Sequence, residues 1–191
     1  DPGADTALDA GMGSWLAEID AALAESRHRD IIVYVHGANT TVERGLGQAA
    51  QLGHFSGRNA VVIAFVWPTA ENFLRYLRDI RTAYGSAPKL ASLLSLLAER
   101  TSARNIGVFT YSAGATLGSD ALALLARSDP AAAARIGEVY HAAPDADFAG
   151  FVDDLAAYAP VAGRVTAAVN LGDSALRLAA TINRGSRAGR P

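Results

Sequence analysis

Short apolar segments recur along the chain and alternate with segments whose apolar residues repeat every three or four positions. Five of the apolar segments are continuous, rich in β-branched residues and bounded by turn residues. They cover residues 31–35, 60–66, 106–109, 136–140 and 165–169. Continuous runs of this kind are typical of strands buried on both faces. The pattern therefore predicts five buried strands.

Segments with helical periodicity lie before, between and after the predicted strands. Apolar residues at helical spacing cover residues 15–23, 42–52, 73–80, 90–97, 115–125 and 175–182. Strands that alternate with helices form parallel sheets covered by helices on both faces, so we predict an α/β fold with a doubly wound, mostly parallel sheet. We divide the chain into an N-terminal helical segment, residues 1–29, that packs on a domain formed by residues 30–191.

The segment Thr110-Tyr111-Ser112-Ala113-Gly114 joins the third predicted strand directly to a helix. Ligands of open parallel sheets bind beyond the carboxyl ends of the strands, where this serine falls. A serine at a sharp strand-to-helix turn exposes its hydroxyl above the sheet, and the turn needs small residues on both sides. Gly114 meets that need, whereas Thr110 stands where the usual pattern has glycine. The alternative interpretation is that Ser112 only caps the helix, since serine is a preferred N-cap residue.

A second candidate loop, His36-Gly37-Ala38, follows the first predicted strand. A nucleophilic serine at such a turn needs two backbone amides to bind the oxyanion. One belongs to the residue after the serine and the other to a loop after an earlier strand. The sequence order predicts Ala113 and Ala38 for these two donors. We interpret the His36 side chain as a structural hydrogen-bonding group rather than a catalytic base.

Composition narrows the chemistry further. The 191 residues contain no cysteine, which excludes disulfides, thiolate metal sites and cysteine nucleophiles. The formal net charge of −2 gives no electrostatic reason to expect a nucleic-acid partner. No apolar run reaches the roughly 20 residues of a transmembrane segment. Metalloprotease, P-loop and GxGxxG patterns are absent, so we expect neither a metal nor an organic cofactor. A flavodoxin-like nucleotide-binding domain is disfavoured because no glycine loop suited to phosphate follows the first predicted strand.

Several segments, taken in order, resemble a bacterial α/β-hydrolase family catalogued as domain of unknown function number nine hundred. Residues 34–40 (YVHGANT) resemble its YVHGFNT signature, and residues 110–114 (TYSAG) resemble its AHSMG turn. The other similar segments are residues 65–69 (FVWPT), 142–147 (AAPDAD), 170–176 (NLGDSAL) and 187–189 (RAG). The resemblance implies the α/β-hydrolase fold and a serine esterase or lipase-like activity on a small-molecule acyl substrate.

The resemblance also implies roles for individual residues. Ser112 is expected to be the nucleophile, and Asp173, after the last predicted strand, is expected to orient a histidine base. The chain order Ser, Asp, His is that of α/β-hydrolases. Asp173 has an alternative interpretation as the N-cap of the helix that follows it. Asp145 and Asp147, after the preceding strand, are competing acids, although their positions are more typical of turn and cap residues.

The histidine base is the missing part of this pattern. The chain contains four histidines, His28, His36, His54 and His141. None of them follows Asp173, so we expect the base to lie beyond Pro191 and this chain to lack the C-terminal strand and histidine loop of the fold. The alternatives are that His141 serves as the base, or that the protein is an inactive α/β-hydrolase-like binding or interaction module. A start without methionine and the lack of cysteine are compatible with an exported bacterial protein but select no compartment.

Overall fold

The computed structural model describes residues 2–70, 75–169 and 188. Within these residues the strands are β1 (Asp30–Val35), β2 (Ala60–Phe65), β3 (Ile106–Tyr111), β4 (Ile136–Ala142) and β5 (Arg164–Ala168). The helices are α1 (Pro2–Glu25), α2 (Val42–Phe55), α3 (Tyr76–Arg100), α4 (Gly114–Ser128), α5 (Pro130–Ala133) and α6 (Phe148–Tyr158). All five predicted strands are confirmed, and their ends agree with the sequence pattern to about two residues.

The strands form one parallel sheet in the order β2-β1-β3-β4-β5. Val108 of the central strand β3 is level with Val33 of β1 on one side and with Val139 of β4 on the other. The chain runs outward from β1 to β2 and then crosses to β3, and such a reversal opens a crevice at the carboxyl ends of β1 and β3. The two candidate loops follow these two strands directly. The parallel sheet with its flanking helices confirms the predicted fold class.

A single hydrophobic cluster joins the sheet to helices α1, α3 and α4. Val33 and Val108 of the sheet, Leu94 of α3 and Leu117 of α4 are at most 1% exposed, and Leu23 of α1 belongs to the same cluster. Each aliphatic side chain buried to this extent stabilises the fold by about 1.5–3 kcal/mol relative to exposure. The cluster therefore fixes the strand ends and helix starts on which the candidate loops lie.

The segment between β2 and β3 differs from the prediction. The sequence pattern indicates two helical segments, residues 73–80 and 90–97, whereas the structure has one helix, α3, with Pro88 in its interior. A proline costs about 3 kcal/mol inside a helix. The buried face continues across that position through Ala83, Ala87 and Leu90, each 0% exposed. Packing of this continuous face outweighs the local cost, which the sequence pattern alone does not reveal.

Helix α6, between β4 and β5, is absent from the prediction. Asp147 is its N-cap, and the Gly150 amide donates a hydrogen bond of 3.0 Å to its carboxylate. An Asp before an apolar run is a usual start signal of a helix, so the sequence did carry an indication of α6. The predicted helix at residues 175–182 and the candidate acid Asp173 lie outside the described residues. In the described helices, no stretch is both long and apolar enough to cross a membrane.

Candidate active site

Ser112 occupies a left-handed backbone conformation between β3 and α4. Its φ is +52°, a value that costs a residue with a side chain roughly 1–3 kcal/mol and persists only when its surroundings hold it. The Ser112 amide donates to the carbonyl of Ala142 at 3.0 Å, and the Ser112 carbonyl accepts from the amides of Ala115 and Asp145 at 2.9 and 3.0 Å. Such a strained strand-to-helix turn is the geometry of a nucleophile elbow.

Two glycines make room for this turn. A Cβ on Gly114 would lie 2.5 Å from the carbonyl oxygen of His36 and 2.7 Å from that of Val35, both backbone atoms that cannot rotate away. A Cβ on Gly37 would lie 3.1 Å from the Cβ of Ser112. The start of α4 and the loop after β1 are therefore in direct contact, as the predicted pair of oxyanion donors requires.

Thr110 takes the position at which the elbow pattern has a glycine, and the compensating space lies one helical turn into α4. A Cβ on Gly118 would collide with the methyl group of Thr110. Thr110 is fully buried. Gly118 thus leaves the room that the Thr110 side chain needs, so the departure from the usual pattern at position 110 leaves the turn intact.

His141 lies in a buried hydrogen-bond chain below the elbow. Its Nδ1 is 2.7 Å from the hydroxyl of Thr110, and its Nε2 is 2.8 Å from the hydroxyl of Tyr158. His141 is 0% exposed, and burial lowers its pKa to about 4, so the ring is neutral at pH 7. Because both ring nitrogens are engaged with groups other than Ser112, the geometry favours a structural role over that of a base.

His36 is buried beside the loop that it begins. Its Nδ1 lies 2.8 Å from the Gly37 carbonyl, and its Nε2 accepts from the Trp67 amide at 3.2 Å. The indole Nε1–H of Trp67 donates to the His36 carbonyl at 2.8 Å, and the two rings stack. Burial lowers the pKa of His36, against opposing contributions from the Gly37 carbonyl and Asp79. A neutral ring with a proton on Nδ1 satisfies both contacts, which agrees with the structural role expected from the sequence.

The contact of His36 with Gly37 has a consequence for Ala38. In a planar trans peptide the C=O and N–H point in opposite directions. The His36 ring binds the Gly37 carbonyl, so it also sets the direction of the Ala38 amide. In the described part of the chain, neither the Ala38 amide nor the Ala113 amide donates a hydrogen bond to another protein group. Both predicted oxyanion donors are therefore free to bind a ligand there.

The candidate acids after β4 have different surroundings. Asp145 is 3% exposed, its carboxylate accepts from the hydroxyl of Tyr76 at 2.6 Å, and its carbonyl accepts from the hydroxyl of Thr116 at 2.7 Å. Asp147 is exposed and caps α6. Asp147 is thus a cap residue, as its position in the sequence suggested, whereas Asp145 lies close to the elbow.

The remaining histidines lie at the opposite edge of the sheet. His28 precedes β1, and His54 lies in the last turn of α2, which starts at the carboxyl edge and runs away from it. No cluster of three or more His, Cys, Asp or Glu side chains suited to a metal occurs among the described residues.

Comparison with known proteins gives the family. Residues 13–190 match the family described as "Alpha/beta hydrolase of unknown function (DUF900)". The chain belongs to this family. No curated protein matches the DUF900 chain.

Two solved structures are similar to this DUF900 chain. An acetyl xylan esterase aligns over 81% of this chain and 92% of its own, with 14% identity and a TM-score of 0.50. Phospholipase PlaB from Legionella pneumophila aligns over 60% of this chain and 25% of its own, with 16% identity and a TM-score of 0.33. At 14% identity, the similarity to the acetyl xylan esterase supports the fold alone. With a TM-score of 0.33, the similarity to the phospholipase supports no inference about this chain.

Asp79 is a site residue of the DUF900 chain that the sequence pattern did not single out. Asp79 and Tyr76 lie on the buried face of α3 and reach the loops at the carboxyl edge of the sheet. A carboxylate on the apolar face of a predicted helix is the available signal, because a charged side chain is buried only where partners satisfy it. The sequence does not tell which loops supply those partners.

Proposed function

We propose that the protein is a serine hydrolase that cleaves a carboxylic ester or a related acyl bond through an acyl-enzyme intermediate. The observation that carries the proposal is the left-handed backbone of Ser112 at the junction of β3 and α4. A helix cap does not require this strain, because a serine caps a helix from the ordinary extended region. Strain of this kind is concentrated at functional sites, where it serves to present a reacting group.

In the proposed reaction, the oxygen of Ser112 attacks the acyl carbon while a base accepts the hydroxyl proton. The oxyanion that develops on the acyl carbonyl binds the amides of Ala38 and Ala113. The base then returns the proton to the leaving alcohol oxygen as its bond to the acyl carbon breaks. A water molecule attacks the acyl-enzyme by the same route, which releases the acid and restores Ser112.

The proposal assigns Asp173 to orient the base, with Asp145 as the competing acid. Asn in place of the orienting Asp lowers kcat about 10⁴-fold in a well-studied triad of this type. We therefore expect Asp173→Asn to cause a loss of that order and Asp145→Asn a much smaller one, because the Asp145 carboxylate already binds the hydroxyl of Tyr76. A larger loss for Asp145→Asn would reassign the acid.

The proposal takes its histidine base from outside the 191 residues. His36 and His141 are buried with both ring nitrogens engaged, and His28 and His54 lie at the far edge of the sheet. These positions of the four histidines also favour the second candidate function, an α/β-hydrolase-like binding or interaction module without catalysis.

A fluorophosphonate probe, which reacts with activated serines, separates the two candidates. We expect the full-length protein to be labelled and Ser112→Ala to lose all labelling. Ser128→Ala is the matched control, because Ser128 lies at the other end of α4 and should leave labelling unchanged. Absence of labelling in the full-length, folded protein would refute catalysis and support the binding module.

A further inference from the structure

A buried carboxylate connects the loop that carries Ala38 to the loop that follows β2. Asp79, in the first turn of α3, is 1% exposed. The Asn39 amide donates to its Oδ2 at 3.2 Å, and the Ala70 amide donates to its Oδ1 at 2.7 Å. Burial of a carboxylate is costly unless hydrogen bonds satisfy it. Here each carboxylate oxygen binds a backbone amide of a different loop, so a single side chain holds the two loops together.

Thr69 forms a second link between the same two loops. Its hydroxyl accepts from the Thr40 amide at 3.1 Å and donates to the Thr40 carbonyl at 2.8 Å. The hydroxyl of Thr40 donates in turn to the carbonyl of Ala38 at 3.2 Å. Successive backbone groups of residues 38–40 are thus held by Asp79, by Thr69 and by the hydroxyl of Thr40.

These contacts restrict the backbone on both sides of Ala38. The His36 ring binds the carbonyl of the peptide before Ala38. Asp79 binds the N–H of the peptide after Ala38, and Thr40 binds its carbonyl. Asn39 has a φ of +53°, a left-handed conformation that needs such external contacts to persist. The direction of the Ala38 amide therefore depends on Asp79 as well as on His36.

We propose that Asp79, together with Thr69, is a positioning residue for the oxyanion hole. It acts through the loop, holding the Ala38 amide in the direction from which it donates to the oxyanion. This inference rests on the proposed function, and it predicts a defect in transition-state stabilisation rather than in folding alone.

The main variant is Asp79→Asn in the full-length protein. Asn has the shape of Asp, but its NH₂ group faces one of the two amides and cannot accept from it. Complete removal of an oxyanion donor costs about 10²–10³ in kcat, so displacement of the donor should cost roughly 10- to 100-fold. We expect that loss in kcat on a short-chain p-nitrophenyl ester and in the rate of fluorophosphonate labelling. KM should change little, because the contact strengthens in the transition state.

Asp129→Asn is the matched control. The carboxylate of Asp129 also accepts two hydrogen bonds, from the Ala132 amide at 3.0 Å and from the hydroxyl of Ser95 at 2.6 Å. It follows the last residue of α4, some 20 Å along the helix axis from the elbow. The same chemical change there should leave kcat and labelling unchanged.

Thr69→Val is a milder second variant, useful if Asp79→Asn does not fold. It keeps the shape of the side chain and removes both of its bonds to Thr40. We expect a decrease in kcat in the same direction at unchanged KM. Amide hydrogen exchange of residues 36–40 supplies a readout without catalysis, and it should accelerate in both variants and not in Asp129→Asn.

The outcomes separate this inference from the proposed function. Wild-type labelling with an equal rate in a folded Asp79→Asn or Thr69→Val variant would overturn the positioning role and leave the hydrolase intact. No labelling of wild-type protein would overturn the hydrolase. In that case, faster exchange of residues 36–40 would still support the loop-holding role of Asp79, and unchanged exchange would refute it.

Discussion

The close contact between Thr110 and Gly118 leads to a quantitative prediction. Gly118→Ala places a methyl group against the methyl of Thr110, which cannot rotate away without breaking its 2.7 Å hydrogen bond to His141. Thr110→Ser removes that methyl and keeps the hydroxyl. The two substitutions should therefore be strongly coupled, although each is conservative.

The magnitude follows from two opposing contributions. An extra methyl in a packed site costs about 1–3 kcal/mol, and Ala in place of Gly inside a helix gains about 1 kcal/mol. With Thr110 present, Gly118→Ala should lower the free energy of unfolding by roughly 0–2 kcal/mol. With Thr110→Ser, the nearest atom to the new methyl is the Cβ of residue 110 at 3.6 Å, an ordinary contact. The same substitution should then raise the free energy of unfolding by about 1 kcal/mol.

Urea denaturation of the four proteins in the cycle measures this coupling. The expected interaction energy is about 1–3 kcal/mol, well above the few tenths found for independent sites. Gly85→Ala is the matched control, because Gly85 is also inside a helix and a Cβ there meets nothing within 4 Å. That control should stabilise the protein equally in both backgrounds. An interaction energy near zero would show that Thr110 and Gly118 do not compete for the same space.

Two further predictions follow from the site. His141 should make stability fall at acidic pH. Its pKa is about 4 in the folded protein against 6.5 when unfolded, so below pH 6.5 the unfolded state binds a proton that the folded state does not. This difference in proton binding lowers the free energy of unfolding by roughly 3 kcal/mol as the pH falls from 6.5 to 4. His141→Asn should flatten the pH dependence of the free energy of unfolding across this range. Gly114→Ala should abolish probe labelling, because its Cβ would overlap backbone oxygens of Val35 and His36. Normal labelling of that variant would contradict the tight packing of the elbow.

The strands were predictable from the sequence because their apolar runs are continuous and β-branched, as burial on both faces requires. The order of the loops along the chain was sufficient to place the Ser112 turn and the loop that starts at His36 at one edge of a parallel sheet. The resemblance of residues 34–40 and 110–114 to a known family then indicated the hydrolase fold, which the family match over residues 13–190 confirms.

The helix predictions were less accurate, for two different reasons. The two apolar stripes, residues 73–80 and 90–97, were predicted as separate helical segments, whereas α3 continues through Pro88 because tertiary packing of its buried face outweighs the local preference. Helix α6 was missed although its cap, Asp147, is visible in the sequence, because its 11 residues offer only about three turns of apolar periodicity.

The sequence by itself determined the fold class and the candidate nucleophile, because periodicity and the residues that follow each strand are local properties of the chain. The tertiary structure decided what depends on contacts between distant residues. It placed Gly118 against Thr110, occupied both nitrogens of His36 and of His141, and brought Asp79 to the loop of Ala38. Each of these contacts joins groups from different elements, and only packing of the helices on the sheet sets which groups meet.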